Sequence, residues 1–136
     1  MVAMTKDRVT RVQPAVDRED PVAANQTIFA GAMVFLNAAG FAVKGSTALG
    51  LKPRGIAVKQ AVNGAVAGDE RVRSQPGEVR VANSSAADAI TRADIGASAF
   101  CVDDQTVAKT NGGNTRSVAG EIVNVDDVGV WIKFGL

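Results

Sequence analysis

Valine and alanine recur along this chain in short runs with a period of two, and the runs are bounded by glycine, asparagine, aspartate and proline. That pattern predicts strands and tight turns. Thr27–Leu36 is apolar at both alternating sets of positions, as in a strand buried on both faces. A turn at Ala39-Gly40 precedes a continuation at Phe41–Lys44, and Gly45–Arg54 reads as a loop. Over Gly55–Val62 the pattern directs Ile56, Val58 and Val62 inward, and Asn63-Gly64 is the strongest two-residue hairpin signal in the chain. Gly68-Asp69 and Pro76-Gly77 mark further turns, and Glu78–Ala82 alternates with Val79 and Val81 inward. Helix is confined to a single turn within Asn83–Gly96, capped by Thr91 with Asp94 nearby and ended by Gly96. Strands follow at Ser98–Val102 and Thr106–Lys109. The chain ends in a hairpin of Val118–Val125 and Val130–Phe134, joined by a type I turn at Asp126–Gly129 with Gly129 in a left-handed bulge position. The motif V-D-D-x-x-V occurs at Val102–Val107 and Val125–Val130, an echo of turn chemistry with no larger repeat around it.

The first 25 residues differ. They hold Pro14 and Pro21, no aromatic residue, and charges that cancel: Lys6, Arg8, Arg11 and Arg18 against Asp7, Asp17, Glu19 and Asp20. Val9, Val12 and Val16 have a rough helical spacing that Pro14 interrupts. Residues 1–25 therefore read as an extended arm ahead of a single β-rich domain, 26–136: either a frayed terminus or an arm that orders on a partner.

Composition sharpens this picture. The chain has 136 residues, enough for one domain with a real core. Leu36, Leu49, Leu51 and Leu136 are its only leucines, too few for helical stripes, while valine suits a pleated surface. The fold class that follows is all-β. Histidine is absent and Cys101 is the only cysteine, which removes the common acid–base, disulfide and thiolate–zinc chemistries. With a net charge of +1 the chain carries no general electrostatic pull toward nucleic acid or a membrane surface. The apolar stretch Ile28–Val43 is too short to span a membrane and is interrupted by Asn37. The basic Lys6–Arg8 region leads into no apolar signal core, so the reading is a soluble, cytosol-made protein.

Each remaining chemical motif has an ordinary reading as well. Asp103, Asp104, Asp126 and Asp127 could converge on a hard cation, but adjacent aspartates are also common turn residues. Thr110–Ser117 has the glycines of a phosphate-binding loop without its G-K-[ST] ending, and so reads as a surface loop. Cys101 lies in an apolar strand with no basic partner to activate it, as a buried structural cysteine does. Asn25-Gln26-Thr27 and Asn83-Ser84-Ser85 match the glycosylation pattern, which has meaning only in a secreted chain. These readings predict no catalytic residues, no cofactor and no metal. Lys52–Arg80 holds six basic and three acidic residues, whereas Asp103–Lys133 holds three basic and five acidic, a division that suits complementary surfaces in a symmetric assembly and equally an ordinary solvated surface. Arg8, Arg11 and Arg18 are the candidate polar anchors of the arm. Trp131, the only tryptophan, is the candidate packed or interface residue of the last strand, whose other face carries Val130, Ile132 and Phe134.

The segments Ala89–Gly96, Val102–Val107, Gly112–Gly120 and Val125–Ile132 together resemble small proteins encoded beside the major capsid protein in tailed bacteriophages and prophages, the capsid decoration or cement proteins. The resemblance covers residues 55–136, extends more loosely over 27–54, and leaves the arm out. It implies a β-barrel-like or β-tulip domain that trimerises on the outer surface of the expanded head and clamps neighbouring major capsid protein subunits. It implies no enzyme activity, no direct contact with nucleic acid and no membrane. The virion is then the expected location, after synthesis in the bacterial host cytoplasm. Two other readings stand beside it: another phage morphogenesis component, of the tail or of head completion, and a small barrel that binds a ligand or nucleic acid.

Overall fold

The computed structural model describes residues 16–136 together with Ala3, Thr5, Val9 and Arg11. Twelve strands form three sheets: β1 (Arg18–Pro21), β2 (Thr27–Ile28), β3 (Met33–Leu36), β4 (Ala42–Lys44), β5 (Lys52–Ala57), β6 (Ala61–Val62), β7 (Arg71–Gln75), β8 (Gly77–Asn83), β9 (Ser98–Cys101), β10 (Thr106–Ala108), β11 (Val118–Val125) and β12 (Val130–Phe134). Among the described residues, helix is limited to two single 3-10 turns, Ala86–Asp88 and Arg92–Asp94. The chain is all-β.

A five-stranded sheet runs β1-β7-β5-β3-β4, and a closed five-stranded barrel runs β10-β8-β12-β11-β9. One residue, Pro76, separates β7 in the sheet from β8 in the barrel. A small β2–β6 ribbon covers the far side of the sheet. The middle of the sheet is therefore buried on both faces. In β3, Met33 and Phe35 join the barrel core, while Val34 and Leu36 face a second core under the ribbon. β4 and β5 divide in the same way: Val43 and Ile56 pack toward the barrel, Ala42 and Ala57 toward the ribbon. The Phe35 and Phe134 rings meet at 5.3 Å between centroids and join sheet to barrel. The second core is built from Val22, Ile28, Val34 and Val72 with four alanines, Ala32, Ala42, Ala57 and Ala61. Alanine at these positions lets the ribbon lie close to the sheet.

The C-terminal hairpin forms over the expected residues, with Val130, Ile132 and Phe134 buried and a bulge between Ile122 and Asn124. Its turn is closed by Asp126, whose carboxylate Oδ1 accepts the amides of Val128 and Gly129 at 2.8 and 2.9 Å. Gly129 does not take the expected left-handed conformation. Glycine is needed there because a Cβ would strike the Val81 carbonyl oxygen of the adjacent strand. The turn at Thr91–Gly96 forms as expected. The Asp94 carboxylate accepts the Thr91 amide at 2.8 Å, and Gly96 has φ +94°.

Several expectations are corrected. The apolar run from Thr27 to Leu36 is two strands, broken at Phe29–Gly31, where the Ala32 amide donates to the Phe29 carbonyl and Gly31 takes φ +88°. The expected loop over Gly45–Arg54 already contains the start of β5. Over Gly55–Val62 the expected inward set holds only at Ile56, which packs against the barrel core: Ala57 and Ala61 are buried, while Val58 and Val62 are exposed. Small side chains fit the thin second core, so burial follows space here and not side-chain hydrophobicity. Asn63-Gly64 is not a hairpin turn, because β6 pairs with β2. Asn63 is instead buried, and its Nδ2 donates to the carbonyls of Val22, Ala23 and Val66 at 3.0–3.1 Å.

The arm's boundary also moves. Residues 18–25 belong to the body: β1 pairs with β7 from Arg18↔Ser74 to Pro21↔Arg71, and Val22 is fully buried. Asp20 is buried at 7% exposure and accepts both Arg54 Nε and Nη2, at 2.8 and 3.1 Å. This paired fork lets a carboxylate enter the interior. Arg54→Met should cost about 3 kcal/mol, because it leaves the Asp20 carboxylate buried without its partner. Urea unfolding measures this, and a loss below about 0.5 kcal/mol would place the pair among the weak surface pairs.

Candidate functional site

Arg8 lies outside the described residues, and Arg11 is exposed. Arg18, in β1, is committed within the body: its Nε donates to the Leu136 carbonyl oxygen at 2.6 Å and its Nη1 to the Asp17 carbonyl at 3.2 Å. It therefore holds β1 to the chain beyond β12. Trp131 lies near the start of β12, roughly 10 Å along the strand from Phe134 at ~3.3 Å per residue.

Trp131 is half-buried on the outer face of the barrel. Its indole Nε1 donates to Asp126 Oδ2 at 3.1 Å. Arg80, directly opposite on β8, places its guanidinium carbon 5.9 Å from the ring centroid, within cation–π reach. Asp126 thus serves both the turn and the tryptophan. Its carboxyl is held below the ordinary range first by the Trp131 hydrogen bond and then by the two turn amides.

The remaining chemical candidates act as structural parts. Asp103 Oδ1 accepts the Gln105 amide at 2.9 Å, the same turn role that Asp126 has. Among the described residues no group of three or more His, Cys, Asp or Glu side chains is arranged to hold a metal ion. The glycine loop is held from one side: Arg116 Nη1 donates to Asp88 Oδ2 at 3.1 Å and to the Thr110 carbonyl at 3.0 Å. The Thr110 hydroxyl bond, and then Arg116, lower the Asp88 carboxyl. Cys101 is fully buried, and its Sγ donates to the Asp103 carbonyl at 3.2 Å. Burial first, and then the Asp103 charge, push its thiol up to about 12. A thiolate nucleophile at neutral pH is not available there.

Two surfaces escaped the sequence pattern. Phe29 is 57% exposed beside Asp104 and Gln105, next to the β2–β6 ribbon, whose Val62 is also exposed. The second is a groove between the sheet and β8, lined by Gly31, Ile56, Val58, Gln75, Glu78 and Arg80 among others. Its barrel wall is a strand edge. β8 pairs with β12 over Gly77–Val81, but with β10 only at Ala82 and Asn83. Among the described residues, the other edge of Gly77–Val81 has no strand partner. Period-two alternation had marked β8 as a strand, but it carries no information about which edge stays open.

No protein-family model, curated protein or solved structure matches the chain.

Two measurements follow. Cys101 in the native protein should resist a thiol reagent at pH 8 and react fully once unfolded, and rapid native labelling would contradict its burial. Because its pKa rises on folding from 9.0 to about 12, stability should fall as pH rises through that interval and be indifferent to this thiol below it. Asp126 has the opposite sign: its depressed pKa means that its contribution is present at neutral pH and is lost as pH falls through the folded value, below about 4. Trp131 fluorescence should follow that acid titration in the native protein, and Asp126→Asn should remove it. A signal that persists in Asp126→Asn belongs to another group.

Proposed function

We propose that this protein is a non-catalytic structural component of a tailed-phage virion. It decorates the outer surface of the head as a self-associating module, most simply a trimer, and clamps neighbouring major capsid protein subunits after synthesis in the bacterial cytoplasm. The resemblance over residues 55–136 suggests the partner. The observation that carries the reading is an uneven distribution of apolar side chains. The body is interlocked β-structure with two cores, yet Val9 and Val16 ahead of β1 stand 98% and 59% exposed. A segment that keeps valines away from its own core gains its burial from a partner. Phe29 and Val62 on the ribbon are a second apolar surface available to the shell.

A site spanning several capsid subunits exists only after assembly, and several weak contacts then act together. The protein should co-sediment with purified heads and bind free capsid subunits much less. Deleting residues 2–16 keeps β1, Asp20 and Val22, and so keeps the body folded, but should lower head occupancy roughly tenfold or more. Full-length protein that never co-sediments with heads sinks this reading. Equal occupancy by the truncated form removes only the arm's part in it.

A further inference from the structure

We propose that the open edge of β8 receives the N-terminal segment of a neighbouring copy, with Val9–Gln13 lying along Gly77–Val81 as an added strand. This rests on the self-association part of the proposed function and gives it a mechanism.

The receptor side is a strand edge set in a groove. Gly77–Val81 is unpaired on one side, and the opposite wall is formed by Gly31, Ile56 and Val58. An extended chain entering there meets backbone hydrogen-bonding groups on one flank and apolar side chains on the other. These are the two elements of recognition by strand addition. Val58 is 44% exposed, the apolar wall residue most open to a visitor.

The donor side fits in length, chemistry and place. Val9-Thr10-Arg11-Val12-Gln13 is five residues long, as is the open edge, and three of them are β-branched. It contains neither proline nor glycine, whereas Pro14 marks its end. The segment also leaves the body at the groove's rim: Asp17 accepts Gln75 Nε2 at 2.8 Å and Arg73 Nη2 at 3.0 Å, and Gln75 lines the groove.

The exposure of Val9 selects a second copy over the chain itself. β1 is antiparallel to β7, with Arg18 opposite Ser74, which sets Asp17 beside Gln75. Val58 lies on the other side of β7, its amide bonded to the Arg73 carbonyl. Val9 in this structure remains 98% exposed and is not seated on its own body. Donation from each copy to the next is a head-to-tail contact, which closes into a ring when the rotation allows. Three copies would satisfy every segment and every groove.

The test uses isolated protein, without capsid, by size exclusion with light scattering at about 100 μM. Full-length protein should be trimeric and the form lacking residues 2–16 monomeric. Val9→Asp/Val12→Asp disables the donor, and Val58→Asp disables the acceptor at an exposed position. Each should be monomeric with an unchanged thermal midpoint. Mixing the two at equal concentration should restore a dimer, because one retains a groove and the other a segment. A monomeric full-length protein, an oligomer that survives the deletion, or a mixture that stays monomeric overturns the proposal. Should Val58→Asp fail to fold, the deletion decides alone. Head co-sedimentation by a protein that is monomeric in solution would reject the strand exchange while leaving the capsid role standing.

Discussion

Everything else in this fold depends on β3 being buried on both faces. Met33 and Phe35 enter the barrel core while Val34 and Leu36 enter the other, so four consecutive residues belong alternately to two cores. A strand in that position cannot slip by one residue without exchanging both sets of side chains. The neighbouring strands accept the same constraint, with Val43 and Ile56 on one face and Ala42 and Ala57 on the other. The Phe35–Phe134 contact carries the register of the sheet into the last strand of the barrel. The sheet and the barrel are thus joined through shared side chains and by the single-residue passage at Pro76, and they move as one unit.

Close packing of the layers makes demands on residue size as well as polarity. A Cβ at Gly45 would lie 2.8 Å from the Asp103 carbonyl oxygen and 3.0 Å from Cys101 Sγ. That glycine therefore lets the chain leaving β4 rest on the barrel where the thiol is enclosed. The burial that pushes Cys101 up to about 12 comes from this contact and from the strand around it. On the far side the alanines of β4, β5 and β6 play the corresponding part, giving the ribbon a short approach to the sheet.

These size demands explain which parts of the architecture were legible. The all-β class, the terminal hairpin and the Thr91–Gly96 turn follow from local rules: valine content, alternation and capping side chains. The same rules failed where two layers compete for one segment. Val58 and Val62 looked like core residues beside Ala57 and Ala61, but the thin second core takes the smaller pair. Asn63-Gly64 has the composition of a hairpin, yet the Asn63 amide serves the nearby Val66 carbonyl and those of Val22 and Ala23, 41 and 40 positions away, a demand invisible in the local pattern. Residues 18–25 looked like an arm because Asp20 reads as a surface charge until Arg54, 34 positions later, is placed beside it. Of the candidate interface residues, Arg18 proved to be occupied with Leu136, and Trp131 emerged on the outer barrel face with Arg80 and Asp126 as neighbours.

The open edge of β8 arises from unequal strand lengths. β8 has seven residues and β10 has three, so their pairing at Ala82 and Asn83 closes the barrel while, among the described residues, the edge of Gly77–Val81 that faces away from β12 has no strand partner. An exposed edge invites unregulated pairing, and the edges at β1 and β8 handle that risk differently. β1 consists of Arg18, Glu19, Asp20 and Pro21, with charges engaged in ion pairs and a proline that cannot donate. The β8 edge has no proline, and it faces the wall formed by Ile56 and Val58 across the groove. An edge set in a groove is open to strand addition by a single extended segment. Asp17, just ahead of β1, is bonded to Gln75 at the rim of that groove.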